Sequence, residues 1–204
     1  MCHKFASKEE AVGDKANRKR EYILEKAAAV FAEKGFKNVT MKDIVSACKI
    51  SRGGVYLYFK STSEIFQSVL EARAKEDRSL DSSDLSFSAR ECMIRFLSAQ
   101  KRELMNPAES LIVATYEYLF EQGQGMNRVE AQRKFDRAVG QLAELIQQGV
   151  AEGNFSAEPL VTARSIVLLL EGLRISCTVL DFDGAFLDGQ IAQILAMLKG
   201  DARG

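Results

Sequence analysis

Ser51-Arg52-Gly53-Gly54-Val55-Tyr56-Leu57-Tyr58-Phe59-Lys60 is the stretch on which the reading of this chain turns. Two adjacent glycines strip side chains from one face of a short helix, so its backbone can come close to another surface. Arg52 carries a planar donor fork suited to a guanine edge, while Tyr56, Tyr58 and Lys60 suit phosphate oxygens. Val55, Leu57 and Phe59 are expected to face the core. The flanking sequence supplies helix ends. Thr40 followed by Asp43 is a capping box with Asp in place of Glu, and Val39 and Ile44 stand at staple positions. Ser51 caps the next helix with Ile50 and Val55 as its staple. Ser61 and Glu64 then open a third helix carrying Ile65, Phe66, Val69 and Leu70. Starts this close together predict two very short helices and then a long one, which is a helix-turn-helix over about residues 41–60.

Residues 18–66 resemble the DNA-binding domain of the TetR family of bacterial regulators. The resemblance rests on Ile23-Leu24…Ala27-Ala28…Phe31…Gly35-Phe36, on Thr40-Met41…Asp43-Ile44, and on residues 51–59 quoted above. It implies an all-α chain: an N-terminal three-helix DNA-binding domain with a helix-turn-helix, then a C-terminal helical bundle for ligand binding and dimerisation. It also implies that Thr40, Ser51, Arg52, Gly53, Gly54, Tyr56, Tyr58 and Lys60 lie at DNA-contacting positions. Members of the family bind double-stranded operator DNA as homodimers and usually repress transcription until a small molecule releases them. Two positions depart from the family pattern. Lys49 stands where a helix-ending glycine is common, and a left-handed conformation there would cost on the order of 1 kcal/mol. Thr62 replaces a frequent lysine, leaving Lys60 as a substitute phosphate contact.

Charge distribution supports this reading separately. The chain is neutral, with 28 basic and 28 acidic residues. Residues 1–75 hold 15 Lys/Arg against 9 Asp/Glu, a net of +6, and the remainder is −6. One basic end turns toward phosphate, and Lys15, Arg18, Lys19 and Arg20 cluster where the first helix is expected to begin. Residues 1–17 are expected to form a flexible basic arm, 18–78 the DNA-binding domain and 79–204 the second domain. The opening residues lack the apolar run of a signal peptide, and no segment has the length of a membrane span, so a cytoplasmic protein with no membrane partner is expected. Cys2, Cys48, Cys92 and Cys177 lack paired spacing and read as small buried residues, with Cys92 and Cys177 open to a redox role.

Past an Asp81-Ser82-Ser83-Asp84 break, apolar residues recur at helical spacing. Helices are expected up to Asn106, over Leu111–Phe120, from about Asn127 to Val150, over 166–180 and over 184–199. The last two are so apolar that they are expected to pair with a second copy through Ile166, Leu173, Phe186, Ile191, Leu195 and Leu198, the alternative being the core of a monomeric bundle. Aromatic residues on successive helices suggest a ligand pocket lined by Phe96, Tyr116, Phe120, Phe135, Leu169 and Cys177; simple packing explains the same stripes. Nearby Glu109, Glu117 and Glu121 leave room for a cationic ligand. Chemistry is otherwise sparse. Gly123-Gln124-Gly125 is no nucleotide loop, Asp181-Phe182-Asp183-Gly184 reads as a turn rather than a calcium loop, and the single histidine is His3. No metal or cofactor is expected, and the chain reads as a ligand-responsive regulator and not an enzyme. A helical enzyme or carrier with an incidental helix-turn-helix is the alternative.

Overall fold

The computed structural model describes residues 3–76, 87–107, 110–121 and 126–200. Their regular structure is helical: α1 (His3–Lys34), α2 (Met41–Cys48), α3 (Arg52–Tyr56), α4 (Thr62–Glu76), α5 (Ala89–Met105), α6 (Ile112–Glu121), α7 (Met126–Ala151), α8 (Pro159–Ser176) and α9 (Gly184–Met197). The chain divides into two compact units, Met1–Glu76 and Asp77–Gly204. Helix α1 runs continuously from His3, so most of the segment expected as a separate arm over 1–17 continues the first helix instead. Cys2, the Asp81–Asp84 break, Glu109 and the Gly123–Gly125 motif lie outside the described residues.

In the first unit, Ile23, Ala27 and Phe31 recur every fourth residue, which puts them on one buried stripe of α1. Phe31, Phe36 and Phe66 form an aromatic cluster; the Phe31 and Phe66 rings meet edge to face at 4.7 Å between centroids. Gly35, at φ 73°, ends α1 and donates its N–H to Phe31 O at 2.9 Å. The cluster fixes α1 and α4 as a frame, and α2 and α3 are carried on it.

The second unit packs α5, α7, α8 and α9 around Met93, Leu97, Leu142, Leu145, Ile146, Ile166 and Ile194. Its helix starts are capped by side chains. Ser88 and Glu91 form a capping box on α5, Glu158 accepts from Leu160 N and Val161 N before Pro159, and Asp183 accepts from Phe186 N at 2.7 Å. The Asp181–Gly184 segment is therefore the turn and cap that lead into α9. Glu152 joins distant ends of the unit by accepting from Ala89 N at 2.9 Å. No described helix is long and apolar enough to cross a membrane.

Candidate nucleic-acid interface

Caps set this site from below. Thr40 Oγ1 accepts from Asp43 N at 3.3 Å, Asp43 Oδ2 accepts from Thr40 N at 2.9 Å, and Val39 and Ile44 are buried as a staple. Lys34 and Thr40 both donate to Asp43, which holds its carboxyl far below the usual carboxylate range. Lys49 then takes the left-handed conformation, φ 52° and ψ 34°, and is the one non-glycine with positive φ among the described residues. Tyr22 OH donates to Cys48 O at 3.2 Å, so α1 itself closes the end of α2. Ser51 Oγ accepts from Gly54 N at 3.2 Å and starts α3. Ser61 Oγ accepts from Glu64 N at 3.1 Å, while Glu64 reaches one residue beyond the usual box to the N–H of Lys60, at 2.7 Å.

With both ends fixed, α3 shows two faces. Val55 and Phe59, four residues apart, are buried; Gly53, Tyr56, Leu57 and Lys60 share the opposite, solvent-facing side. Leu57, expected in the core, is 78% exposed. It lies two residues from Val55, about 200° around a helix, so it cannot share Val55's side. The spacing Gly53–Leu57 carried that signal and was outweighed by the residue's apolarity.

The two glycines differ. A Cβ on Gly53 would meet nothing within 4 Å, whereas one on Gly54 would stand 3.2 Å from the capping Ser51 Oγ and 3.8 Å from Lys19 Nζ. A methyl at Gly54 would thus crowd the cap of its own helix, and one at Gly53 would crowd nothing. Lys19 is also placed beside the start of α3. Arg20, grouped with it in the sequence, instead lies over the Phe59 ring at 5.1 Å and donates to Ser68 Oγ at 3.0 Å. Arg52 lies over the Tyr56 ring at 5.2 Å, Lys60 is exposed, and Tyr58 is half-buried.

The candidate residues of the second unit separate. Phe96 and Cys177 are buried, and Tyr116, Phe135 and Leu169 pack against that core. Phe120, expected to line a pocket with them, is 68% exposed and stacks on the outer side of Tyr116. Tyr118 takes the buried place because it continues the stripe from Ala114. Ile166, Leu173 and Leu198, expected at a dimer interface, lie in the unit's own core, and Ile191 and Leu195 pack on it. Phe186 is exposed and stacks on Phe182. Apolar side chains that do face outward include Val161, Leu168 and Ile175 on α8 and Val179 in the turn that follows it. Burial pushes the thiols of Cys48 and Cys177 up, which disfavours the thiolate. Among the described residues no group of three His, Cys, Asp or Glu could hold a metal.

Residues 23–69 match the family described as bacterial regulatory proteins, tetR family, and residues 92–187 match the tetracyclin repressor-like C-terminal domain. The uncharacterized HTH-type transcriptional regulator YfiR of Bacillus subtilis (strain 168) is 32% identical over 187 residues, covering 90% of this chain and 91% of that protein. The HTH-type transcriptional repressor KstR2 of Mycobacterium tuberculosis (strain CDC 1551 / Oshkosh) is 37% identical over 59 residues, 29% of this chain and 30% of its own length. Among solved structures, a TetR transcriptional regulator from Chloroflexus aurantiacus J-10-FL has a TM-score of 0.70 at 20% identity, covering 92% of this chain and 97% of that one. The fatty acid degradation regulator FadR of Bacillus halodurans has a TM-score of 0.63 at 19% identity, covering 91% and 96%. At these identities the two structures speak for the fold.

Proposed function

We propose, from the premise that this chain belongs to the tetR family of bacterial regulatory proteins and is a DNA-binding transcriptional regulator, that it acts as a dimeric repressor released from its operator by a small molecule. The observation that carries the DNA-reading assignment is the outer face of α3. Gly53 leaves a bare approach there with no packing reason for a glycine, and Arg52, Tyr56, Leu57 and Lys60 surround it. On this reading Arg52 reads a base edge, Leu57 meets a thymine methyl, and Tyr56, Lys60 and Lys19 hold phosphates. Thr40 and Ser51 contribute as caps that aim backbone N–H groups, and Tyr58 contributes from a half-buried position.

Dimerisation assigns a partner to the outward apolar side of α8 and the turn after it, with Val161, Leu168, Ile175 and Val179 meeting a second copy. Gly172 and Gly189 support it, since a Cβ on either would meet nothing within 4 Å of its own chain, and bare glycines let helices approach closely. Two heads in a dimer must match successive major grooves, about 34–36 Å apart, so a ligand that favours another spacing disfavours DNA. The reading gives the protein no reaction to catalyse. Sequencing the genomic fragments it retains, then measuring binding to them over a salt series, tests it. Steep loss of affinity with salt and strong preference over random duplex are expected. Equal affinity for retained and random fragments would end the assignment of α3 as a reading head.

A further inference from the structure

Gln100 on α5 is 6% exposed and is the one buried polar side chain among the described residues. Its carbonyl oxygen accepts from Arg174 Nη2, and its amide nitrogen has no hydrogen-bond partner among those residues. A buried donor without a partner is costly and asks for a reason. Gln100 also lines a small, partly open void between α5, α8 and α9, walled mainly by Leu97, Leu104, Leu170, Leu173 and Ile194, with Lys101 and Gln190 at its wall, and holding about 10 Å³. That is room for no more than about one water.

Beside Gln100, two side chains grip one carboxylate. Tyr116 OH donates to Glu171 Oε2 at 2.7 Å, and Arg174 Nη1 donates to Glu171 Oε1 at 2.5 Å. Glu103 stands farther off, with Oε2 3.9 Å from Arg174 Nε. Burial, then the Glu171 carboxylate, keeps the Tyr116 phenol protonated well above its usual range, so it remains a donor. Depth separates the two kinds of group. The Arg174 side chain is 26% exposed, and those of Glu171 and Glu103 are 43% and 39%. Arg174 is the less exposed group, and the more exposed carboxylates have room to turn outward into water. Were Glu171 to do so, Tyr116, Arg174 and Gln100 would offer an unfilled set of donors suited to a carboxylate. A cationic ligand would have to expel Arg174 instead, the deeper group, held by Gln100 and Glu171 together.

We propose that this cluster is the head-group site of the effector, an organic acid with an apolar chain: its carboxylate replaces Glu171 on Tyr116 and Arg174, and its chain opens the void beside Gln100. Glu171 is then an internal stand-in that keeps the site closed. The inference rests on the ligand-release reading above and names the chemical class of its ligand. Lys101, which also lines the void, is already paired with Asp188, so Arg174 is the cation that meets Gln100 and Glu171.

The test is calorimetric titration of the full chain with hexanoate, octanoate and dodecanoate, each beside the alkylamine and the alcohol of equal length. Retention of a fluorescent genomic fragment is followed in parallel. At least one acid should bind, about tenfold or more tighter than its amine and alcohol. Glu171→Gln should tighten the acid further, and Arg174→Met, checked for an unchanged helical spectrum, should lose it. Gln100→Leu, which replaces the polar group by an apolar one of similar size, should weaken the acid in a protein that still folds. Tighter binding of the amines, no acid binding to parent and Glu171→Gln alike, or equal acid binding by parent, Arg174→Met and Gln100→Leu would each overturn the site. An acid that binds through Arg174 but leaves the DNA complex intact supports the site and refutes ligand release. DNA release by an amine refutes the site and keeps ligand release.

Discussion

Arg52 folds its guanidinium over the ring of Tyr56, with Nη2 3.5 Å from the phenol oxygen, so the proposed base reader and phosphate contact touch each other. Arg52→Ala should therefore cost about 1–3 kcal/mol of operator affinity and relax preference at one base pair per half-site. Tyr56→Phe should weaken retained and random fragments by the same factor, because a phosphate contact carries no base information. Binding by Arg52→Ala at parental affinity and selectivity would remove Arg52 from that role. Gly53 gives a sharper separation of fold from function. Alanine is a better helix former than glycine by up to about 1 kcal/mol, and a methyl at 53 meets nothing in the protein. Gly53→Ala should thus melt at or above the parental temperature while losing DNA affinity, measured by thermal unfolding and fluorescence anisotropy. Intact DNA binding would mean that the bare face is not where DNA approaches.

At the scale of the element, α2 is held by a favourable start and a strained end. Lys49 at φ 52° bears the left-handed strain of an L-residue, about 1–2 kcal/mol, while glycine brings extra unfolded-chain entropy of about 0.4–1 kcal/mol. Lys49→Gly should then gain roughly 1 kcal/mol of stability in a denaturant titration; a loss would show that Lys49 makes a compensating interaction. The start of α2 depends on charge. Asp43 has a folded pKa below its unfolded one, chiefly through the Lys34 hydrogen bond and then Thr40. Its contribution is therefore complete above the ordinary carboxylate value of about 4 and is lost as pH falls through the depressed folded value. Asp43→Asn should melt below the parent near neutral pH, and the gap should close on acidification. A gap that stays constant across that range would place the stabilisation in shape rather than charge. Both ends of α2 were legible in sequence, since cap chemistry is local: Thr40 and Asp43 are three residues apart, and Lys49 occupies a position whose backbone the turn dictates.

For the whole molecule, assembly is tested on outward-facing residues, because the core holds Ile166, Leu173 and Leu198 and takes Ile191 and Leu195 as packing. Leu195→Glu would place a charge on the unit's own core packing and confuse unfolding with dissociation. Leu168, 61% exposed, and Val179, 81% exposed, belong to the outward side. Leu168→Glu should sediment as a folded monomer at concentrations where the parent is a dimer, with operator affinity falling in step. A dimeric Leu168→Glu that binds DNA normally would move the interface off this face of α8.

The sequence by itself determined the helical class, the two-part organisation, and the position and caps of α2, α3 and α4, because each depends on residues within one turn of one another. Which side of an apolar helix faces inward was not local in this way. On α8 and α9 apolar residues occur on nearly every side, so periodicity could not separate Ile166 and Leu173, which bury in the unit's core, from Leu168 and Ile175, which do not. The same competition turned Leu57 outward and left Phe120 exposed while Tyr118 went in. The Tyr116–Glu171–Arg174–Gln100 cluster joins residues from three helices that lie up to 74 positions apart. No spacing in the chain announces it; only packing, by choosing which polar groups lose their water, brought those donors to one carboxylate.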